Sequence, residues 1–580
     1  MRLLVVTRHF AALRNYESVI RGLVARGHDV EVAALQDDAL GGSRMVSRWQ
    51  GELLGLRVSW APGQSENGTE TVTQKVRLAL DWIRYLAPAY RSAPRLVERA
   101  YERTPRVVLW LTKVPGARTA PVRRMLTTWL RGLERALPRV PAVEAFLKER
   151  CPDVVMLTPL IGLGSPEVDF LRSAKALGLR TLFGVWSWDN LSSKALIRSV
   201  PDIITVWNPT QRTEAVELHG VPPERVVVTG AQCFDLWFDR KPRGNRAEFC
   251  NRVGLPPEPP FLLYVCSALF RGSPVEAKFV SRWLTALRES SHERLREVPV
   301  LVRPHPSRLK AWDDVKLEGL GPVVLWGRNP IDVDTKADYF DSLSYCGAVV
   351  GLNTSAFLEA AIAGRPVFTL LLREFQENQE QTLHFPYLMN VGGGLLHATR
   401  TMDEHLSELS EALASPGKYA ERSVKFVEAF LRPNGRNEAA TPRMISTIER
   451  LALAQARRAE IDKGDGFSRS VLAALEIACK LRLTRSLFWD PLKINEERAR
   501  TRTIREHRRM KRRKNWQAQL DRAKQRSQDH YRKVISRRAK EQSKIERRRE
   551  KRRKMVRKRR ERLQATIANL LRRAIGGQGD

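Results

Sequence analysis

The stretch RLLVVTRHFAALRNYESVIRGLVARGHDVEVAAL (Arg2–Leu35) decides the fold. Its apolar run Leu3–Val6 predicts a buried strand, and the pattern over Tyr16–Arg26 predicts a helix with one apolar face. Gly27 is typical of a helix end, and Asp29–Leu35 returns to a strand pattern. A strand, a helix and a second strand within ~35 residues form the βαβ unit of a parallel sheet. The stretch therefore predicts an open α/β domain.

The same alternation of strands and helices recurs along the chain and predicts two such domains. The predicted fold class is α/β, with two doubly wound Rossmann-like domains followed by a long basic C-terminal helix. A Pro-, Gly- and Arg-rich connector separates the two domains. The predicted segments are 1–240, with a basic helical insertion at about 72–143, the linker 241–260, the second domain 261–460, an amphipathic segment 466–490 and a basic tail 492–575.

Length and composition exclude several classes of protein. At 580 residues with 43% hydrophobic content, the chain is long enough for two cores and is not globally disordered. Its six cysteines form no CxxC pair, which indicates reduced thiols and predicts no metal site. The opening apolar run is too short for a signal peptide, and no apolar stretch reaches the ~18–20 residues of a spanning helix. The sequence thus predicts a cytoplasmic protein that can associate peripherally with the inner face of the cytoplasmic membrane.

The C-terminal tail carries most of the charge. Between Arg498 and Arg573 stand 33 Lys/Arg and 7 Asp/Glu, or +26 of the net +36. From Leu492 to Ile575 there is neither proline nor glycine, which predicts one solvated helix on the order of 120 Å long. Its apolar residues keep no strict heptad, so a stable coiled-coil dimer is not expected. Such a tail suits anionic lipid, an acidic polysaccharide or nucleic acid.

The segment GLNTSAFLEAAIAGRPV (Gly351–Val367) is the first candidate binding motif. A buried strand ends near Leu352, and Asn353, Thr354 and Ser355 follow where the next helix opens. Backbone amides at a helix start attract phosphate, so a diphosphate could bind there without a metal. Glu359 lies one turn further on, where its carboxylate could accept hydrogen bonds from ribose hydroxyls. The alternative is an ordinary capped helix with a solvated Glu359.

A second candidate motif is VLVRPHPSR (Val300–Arg308). An apolar strand delivers Arg303 and His305 into a loop braced by two prolines. The guanidinium supplies permanent charge for phosphate, and the imidazole can donate to it. Ser267, just after the strand Phe261–Cys266, is a further candidate for a phosphate contact. The alternative is a rigid loop with a surface histidine.

Two motifs of the first domain provide candidates for catalysis and for acceptor binding. His9 follows the first strand, opens onto the expected crevice and is a candidate general base. In GVWSWDNLSSK, Asp189 is a second catalytic candidate, and Trp186, Trp188 and Asn190 could bind a sugar or another hydroxyl acceptor. The alternatives are a structural histidine and a buried tryptophan cluster with a helix cap.

The order of these motifs resembles the GT-B glycosyltransferase superfamily. Within it, the chain is most similar to bacterial enzymes related to the UDP-sugar 2-epimerases and to the capsule or CDP-glycerol transferases. The resemblance covers about residues 1–450 and leaves the tail outside. It rests on His9 after the first strand, on RPHPS and GLNTSAFLEAAIAGRPV, and on ARGHDV (Ala25–Val30) and VTGAQCFD (Val228–Asp235). The glycine-rich turn that often follows the first strand is absent.

The resemblance implies an enzyme that moves a sugar from a nucleotide-diphosphate donor to a cell-surface glycan or lipid-linked acceptor. The nucleotide-sugar is then a substrate, and neither a cofactor nor a metal is implied. Thr354, Ser355 and Glu359 resemble diphosphate and ribose contacts, while Arg303 and His305 resemble a phosphate-contacting pair. Alternatives are a sugar-nucleotide epimerase or a glycerol-phosphate transferase of the same fold, and a non-catalytic scaffold whose tail binds nucleic acid or another anionic polymer.

The insertion and the segment Phe467–Trp489 mix Trp, Leu and Arg on helices that we expect to be amphipathic. Such helices suit an anionic membrane surface, where a lipid-linked acceptor would reside. The alternative for both is packing against the α/β domains. The apolar groups concerned are Leu80–Ile83, Tyr85–Leu86, Val107–Leu111 and Met125–Leu130 in the insertion.

Overall fold

Two parallel sheets organise the chain. The computed structural model describes all residues except 39–40, 64–68, 331, 456–458, 460–463, 482–483 and 576–580. The described strands of the first sheet are β1 (Arg2–Thr7), β2 (Asp29–Ala34), β3 (Leu56–Trp60), β4 (Val154–Thr158), β5 (Arg180–Gly184), β6 (Ile203–Val206) and β7 (Val226–Val228). Those of the second sheet are β8 (Leu262–Val265), β9 (Val300–Arg303), β10 (Val323–Leu325), β11 (Ala348–Val350), β12 (Val367–Leu370) and β13 (Leu396–Thr399).

The strand order is the same at the centre of both sheets. The first runs β3-β2-β1-β4-β5-β6-β7 and the second β10-β9-β8-β11-β12-β13. All the pairings are parallel. The order reverses between β1 and β4, and again between β8 and β11. In open sheets of this kind, ligands bind at the carboxyl ends of the strands beside such a reversal. The predicted fold class of two doubly wound Rossmann-like sheets is confirmed.

Helices cover the sheets and connect their strands. In chain order they are α1 (Glu17–Ala25), α2 (Gly42–Glu52), α3 (Thr69–Tyr85), α4 (Pro94–Arg103), α5 (Arg106–Leu111), α6 (Ala120–Ala136), α7 (Pro141–Arg150), α8 (Glu167–Ala176), α9 (Asn190–Ser193), α10 (Pro209–His219), α11 (Asp235–Phe238), α12 (Arg246–Val253), α13 (Glu276–Arg288), α14 (Glu293–Arg296), α15 (Val333–Tyr345), α16 (Ala356–Ile362), α17 (Phe385–Asn390), α18 (Met402–Ala414), α19 (Pro416–Phe426), α20 (Ala440–Leu453), α21 (Gly466–Lys480) and α22 (Pro491–Ile575). No described helix is both long and apolar enough to cross a membrane.

Alternation along the strands builds a core on each face of each sheet. In β1, Leu3 and Val5 pack into one cluster and Leu4 and Val6 into another. Consecutive side chains of a strand point to opposite faces, so a strand that is apolar throughout must be covered on both. One cluster joins the two domains, because Trp207 of the first packs with residues around the second sheet. Both sheets belong to one compact unit, Met1–Leu492.

The last helix of the α/β region returns to the first domain. The apolar face of α20 joins the cluster on the outer face of the first sheet through Met444, Ile445 and Ile448. Asp235 of the first domain holds the start of α20 in place, because its carboxylate accepts from the backbone amides of Ala440 at 3.1 Å and Thr441 at 2.6 Å. Helix α20 of the predicted second domain thus packs on the first sheet, which ties the two domains together.

The insertion forms a helical layer with a core of its own. Residues of α3, α4 and α6 bury their apolar faces together, and Leu472 and Cys479 of α21 complete the cluster. Leu80–Ile83 and Tyr85, which the sequence left open between a membrane and packing, are buried here. For these residues and for the inner face of α21, packing is therefore the interpretation that the structure favours.

The tail belongs to a second unit, Lys493–Asp580. Helix α22 runs over 85 residues, which confirms the predicted long basic helix. From Arg498 onward, its side chains are exposed wherever the structure describes them. Pairs such as Arg502 with Glu506 lie four residues apart on the helix. Exposed pairs of this kind stabilise a helix only slightly, so the composition rather than a core sustains it.

Candidate functional site

The reversal point of the second sheet brings two predicted residues together. Ser267 follows β8 and Asn353 follows β11, and the Asn353 amide donates to Ser267 Oγ at 3.1 Å. The backbone amide of Ser267 donates in turn to the Glu276 carboxylate at 2.7 Å. Burial raises the pKa of Glu276 to about 7, against the hydrogen bonds from Ser267 and Tyr264. Ser267 is fully buried, so it holds the two strand ends in place.

Thr354 and Ser355 lead into α16, which is only seven residues long. Thr354 Oγ1 accepts from the amide of Ala356 at 3.4 Å, and Ser355 is exposed. Within the described residues, no partner accepts from the backbone amides of Thr354 and Ser355. Asn353 is held from the other side, since its side-chain amide donates to the carbonyl of Asn378. The loop thus presents two unused N–H groups at the carboxyl edge of the sheet.

Arg303 ends β9 with its guanidinium buried against aromatic rings. It lies 4.6 Å from the ring centre of Tyr339 and 5.6 Å from that of Trp326. Nη2 donates to the carbonyl of Arg328 at 3.1 Å, whereas the buried Nη1 has no partner among the described residues. Buried donors are rarely left unpaired, because the loss costs about 1–3 kcal/mol. A permanent positive charge with a free N–H group is therefore available at this edge.

Glu359 of α16 belongs to the same cluster. The Tyr339 hydroxyl donates to its carboxylate, and the positive charges of Arg303 and Arg14 act on it. Burial outweighs these contributions and raises the pKa of Glu359 to about 7. We call Arg303, Tyr339 and Glu359 the Arg303 cluster. Its carboxyl group changes charge near neutral pH, where its hydrogen-bonding role also changes.

Basic residues of both domains lie in the cleft near this cluster. Arg14 lies in a 3-10 helix directly after His9, and Lys336 of α15 approaches Glu17 of α1 at 3.7 Å. Burial lowers the pKa of Lys336, and the neighbouring Arg240, Arg48 and Arg14 lower it further. A pocket of about 270 Å³ between the domains includes Arg14 and Lys336 in its lining. The lining of this pocket holds these two basic residues and no acidic one among the described residues, which suits an anionic ligand.

His305 points away from the Arg303 cluster. Its Nδ1 accepts from the backbone amide of Ser307 at 3.2 Å, and the ring lines a pocket of about 460 Å³ with Ser267, Glu276 and Arg308. Burial and the charge of Arg308 lower the pKa of His305. No described contact joins His305 to Arg303, so the structure does not assemble the expected basic pair. His305 lies beyond the end of β9, in the loop that leads into Pro306–Trp312, so strand alternation no longer sets the direction of its side chain.

His9 lies at the reversal point of the first sheet. Its Nδ1 is 3.2 Å from the carbonyl oxygen of Asp37, which can only accept, so Nδ1 carries the proton. Nε2 then bears the lone pair and lies 3.1 Å from Nε2 of the Gln36 side chain. The ring is partly exposed. This is the tautomer and placement that a general base needs.

The loop after β5 is organised around Asn190. Its Oδ1 accepts from the backbone amides of Trp186 and Ser187, both at 3.2 Å. Trp188 is buried and its ring lies 4.6 Å from that of His384, edge to face. The Trp186 indole N–H and the Asn190 side-chain N–H are buried without a partner among the described residues. Trp188 thus packs as a core residue, while Trp186 and Asn190 each keep an unpaired N–H group among the described residues.

Asp189 is surrounded by donors. Its carboxylate accepts from Ser187 Oγ at 2.7 Å and Ser193 Oγ at 2.8 Å, and Lys194 lies at 3.1 Å. Burial works against ionisation, but Lys194, His384 and the two hydroxyls outweigh it and hold the pKa of Asp189 well below its usual range. A carboxylate of such low pKa takes up a proton poorly. Asp189 is therefore better suited to orient a hydroxyl than to act as the base.

Several residues near this loop were not predicted from the sequence. Burial lowers the pKa of His384 to about 4, and its Nδ1 has no partner among the described residues. Glu214 accepts from the Tyr387 hydroxyl at 2.6 Å, and burial raises its pKa to about 7. These groups meet only through contacts between distant segments. No local pattern in the sequence could have indicated them.

Comparison with known proteins gives structural likeness without a family. No protein-family model matches the chain, and no curated protein matches it. Similar solved structures include the UDP-GlcNAc 2-epimerase of Neisseria meningitidis bound to UDP-GlcNAc, with 11% identity, a TM-score of 0.45, and 78% of this chain and 100% of that one covered. A glycosyltransferase of Rickettsia africae has 10% identity and a TM-score of 0.45, and the match covers 78% of this chain and 99% of that one.

A third structure is the UDP-GlcNAc 2-epimerase of Methanocaldococcus jannaschii in complex with UDP-GlcNAc and UDP. It has 13% identity and a TM-score of 0.42, and the match covers 78% of this chain and 100% of that one. Two of the enzyme classes named by the sequence resemblance, glycosyltransferases and UDP-sugar 2-epimerases, are among these structures. Because the identities are low and the TM-scores lie below 0.5, the fold assignment rests on the strand orders of the two sheets.

Proposed function

We propose that the chain is a glycosyltransferase that uses a nucleotide-diphosphate sugar, with the donor bound in the cleft beside the Arg303 cluster. The observation that carries this proposal is the buried Arg303 guanidinium, which keeps a free N–H group next to the Glu359 carboxyl. A buried cation that is only partly paired is costly unless a ligand completes its hydrogen bonds. Its position at the carboxyl edge of a doubly wound sheet suits a nucleotide.

The neighbouring groups match the parts of such a donor. The diphosphate would accept from Arg303 Nη1 and from the free amides of Thr354 and Ser355, and Arg14 and Lys336 would add positive charge. Ribose hydroxyls would donate to the Glu359 carboxylate when it is ionised. In this arrangement no metal ion is required to balance the diphosphate.

The first domain would hold the acceptor. An acceptor hydroxyl oriented by Asp189 and the donors of Trp186 and Asn190 would attack the anomeric carbon. The bond from that carbon to the diphosphate oxygen would break, and its electron pair would leave with the diphosphate. His9 Nε2 would take up the hydroxyl proton, which requires that the Gln36 side chain move aside.

The experiment is product analysis with a panel of UDP-, GDP- and CDP-activated donors. Glu359→Gln in the full-length chain is expected to lower kcat/KM for the donor by about tenfold or more, because a ribose hydroxyl would lose its charged acceptor. Glu421→Gln on an exposed part of α19 is the matched control and should leave turnover unchanged. A Glu359→Gln variant with full turnover of every donor would contradict the proposal.

The same experiment includes a pH profile. The carboxyl of Glu359, with a pKa of about 7, is protonated below that pH and ionised above it. Since the ionised form accepts from the ribose, kcat/KM should rise between about pH 6 and 8, and Glu359→Gln should lose that rise. A product that differs from the donor only in sugar configuration would instead assign the site to an epimerase, and transfer of glycerol phosphate would assign it to a transferase of that kind.

A further inference from the structure

Five large apolar side chains of the insertion are exposed within a short length of chain. They are Trp110 and Leu111 at the end of α5, Val114 in the connection, and Met125 and Trp129 on α6. Their exposed fractions lie between 42% for Trp129 and 70% for Trp110. Met125 and Trp129 are four residues apart and so share one face of α6. We call these five residues the α5–α6 patch.

The exposure is not a consequence of poor packing of the two helices. Leu109 of α5 and Leu130 and Leu133 of α6 are buried in the core of the insertion. Leu126 also packs against that core, one residue along from the exposed Met125. Both helices thus have an apolar inner face and a second apolar group on the outside. A cluster of exposed apolar side chains of this kind marks an interaction surface rather than a core.

The charge around the patch has one sign. From Thr104 to Gly132 the sequence holds six basic residues and no acidic one. Arg106, Lys113, Arg118 and Arg124 are exposed, and no ion pair within the described residues joins them to an acid. Their charge is therefore free to interact with an anionic partner. Long basic side chains beside tryptophan and methionine match the two layers of a bilayer surface, with phosphate outside and hydrocarbon beneath.

We propose that the α5–α6 patch docks the protein on an anionic lipid bilayer, with Trp110 and Trp129 inserted at the level of the headgroups. The basic residues would contact lipid phosphates and add electrostatic attraction to such a surface. A bilayer fits better than a second copy of the chain, because identical patches would bring uncompensated basic residues face to face. The inference does not depend on the proposed enzymatic activity.

The test is co-sedimentation of the full-length chain with vesicles made of equal parts phosphatidylglycerol and phosphatidylcholine. The basic tail also attracts an anionic surface, so binding is measured in about 0.5 M salt, where the Debye length is about 4 Å. The double variant Trp110→Ser, Trp129→Ser is expected to lower the vesicle partition coefficient by about tenfold or more, since two large side chains no longer leave water.

The matched control is the double variant Leu54→Ser, Leu453→Ser, which removes two strongly exposed apolar side chains outside the patch. It should bind as the unchanged chain does, and the urea midpoints of both variants should agree. Equal binding by both double variants would overturn the proposal, as would salt-resistant binding to phosphatidylcholine alone at the same level. A dimer in sedimentation velocity that only the tryptophan variant loses would assign the patch to self-association instead.

Discussion

Replacing Arg77 with methionine is expected to lower the free energy of unfolding of the unit Met1–Leu492 by about 3–5 kcal/mol. Arg77 is completely buried on α3. Its Nε donates to Glu134 of α6 at 2.9 Å, and its Nη1 to Asp169 of α8 at 3.0 Å. Methionine fills similar space but leaves two buried carboxylates without their cation. This guanidinium joins the insertion, through α3 and α6, to α8 of the first domain, so the variant should destabilise both parts.

Urea denaturation followed by tryptophan fluorescence measures the effect. Arg400→Met is the control, because the pair that Arg400 makes with Glu380 is largely exposed and should contribute little. A loss for Arg77→Met below about 1 kcal/mol would show that water or rearranged side chains satisfy Glu134 and Asp169, since buried pairs that lose one partner normally cost more. The insertion would then be less firmly attached than its contacts imply.

Replacing Arg303 with methionine is expected to weaken nucleoside diphosphate binding by on the order of 30-fold to 5,000-fold, as truncation of one partner of a buried charge pair costs about 2–5 kcal/mol. Its guanidinium is the cation of the Arg303 cluster, and its buried Nη1 has no partner among the described residues. Methionine can pack between Tyr339 and Trp326, so the strand end should survive. Calorimetric titration with UDP, GDP and CDP measures the affinity.

Arg308→Met is the matched control for Arg303→Met. Arg308 lies five residues later and donates to the carbonyl of Leu269 at 2.8 Å, on the side of the pocket that His305 lines. Its loss should change the affinity by less than about threefold, because it lies outside the proposed diphosphate site. If both variants lost affinity equally, the phosphate would instead lie near His305, and the Arg303 cluster would be structural.

The fold was largely predictable because its strands are buried on both faces. Continuous apolar runs such as Leu3–Val6 are typical of parallel strands that are buried on both faces. Two edge strands were missed because their sequences lack a continuous apolar run. The edge strand β3, LRVSW, is partly exposed, and β13, LHAT, carries a histidine within four residues. Edge strands need less apolar surface, so their sequence resembles a loop.

The candidate site was only partly predictable. Motifs that follow strands could be placed at the correct edge, and Ser267 and Asn353 meet there through a hydrogen bond. The direction of a side chain after a strand could not be read from the sequence, as the separation of Arg303 from His305 shows. Tyr339 was missed because it comes from a helix that shows no motif, and only the folded chain brings it to Glu359.

Hydrogen exchange of the full-length chain with and without UDP, GDP or CDP tests most directly whether a nucleotide binds beside the Arg303 cluster. The account predicts that the nucleotide which binds will slow exchange in 353–362, where α16 begins, and in α15 over Val333–Tyr345. Binding that leaves both segments unchanged, or that slows exchange only in the basic tail, would contradict it.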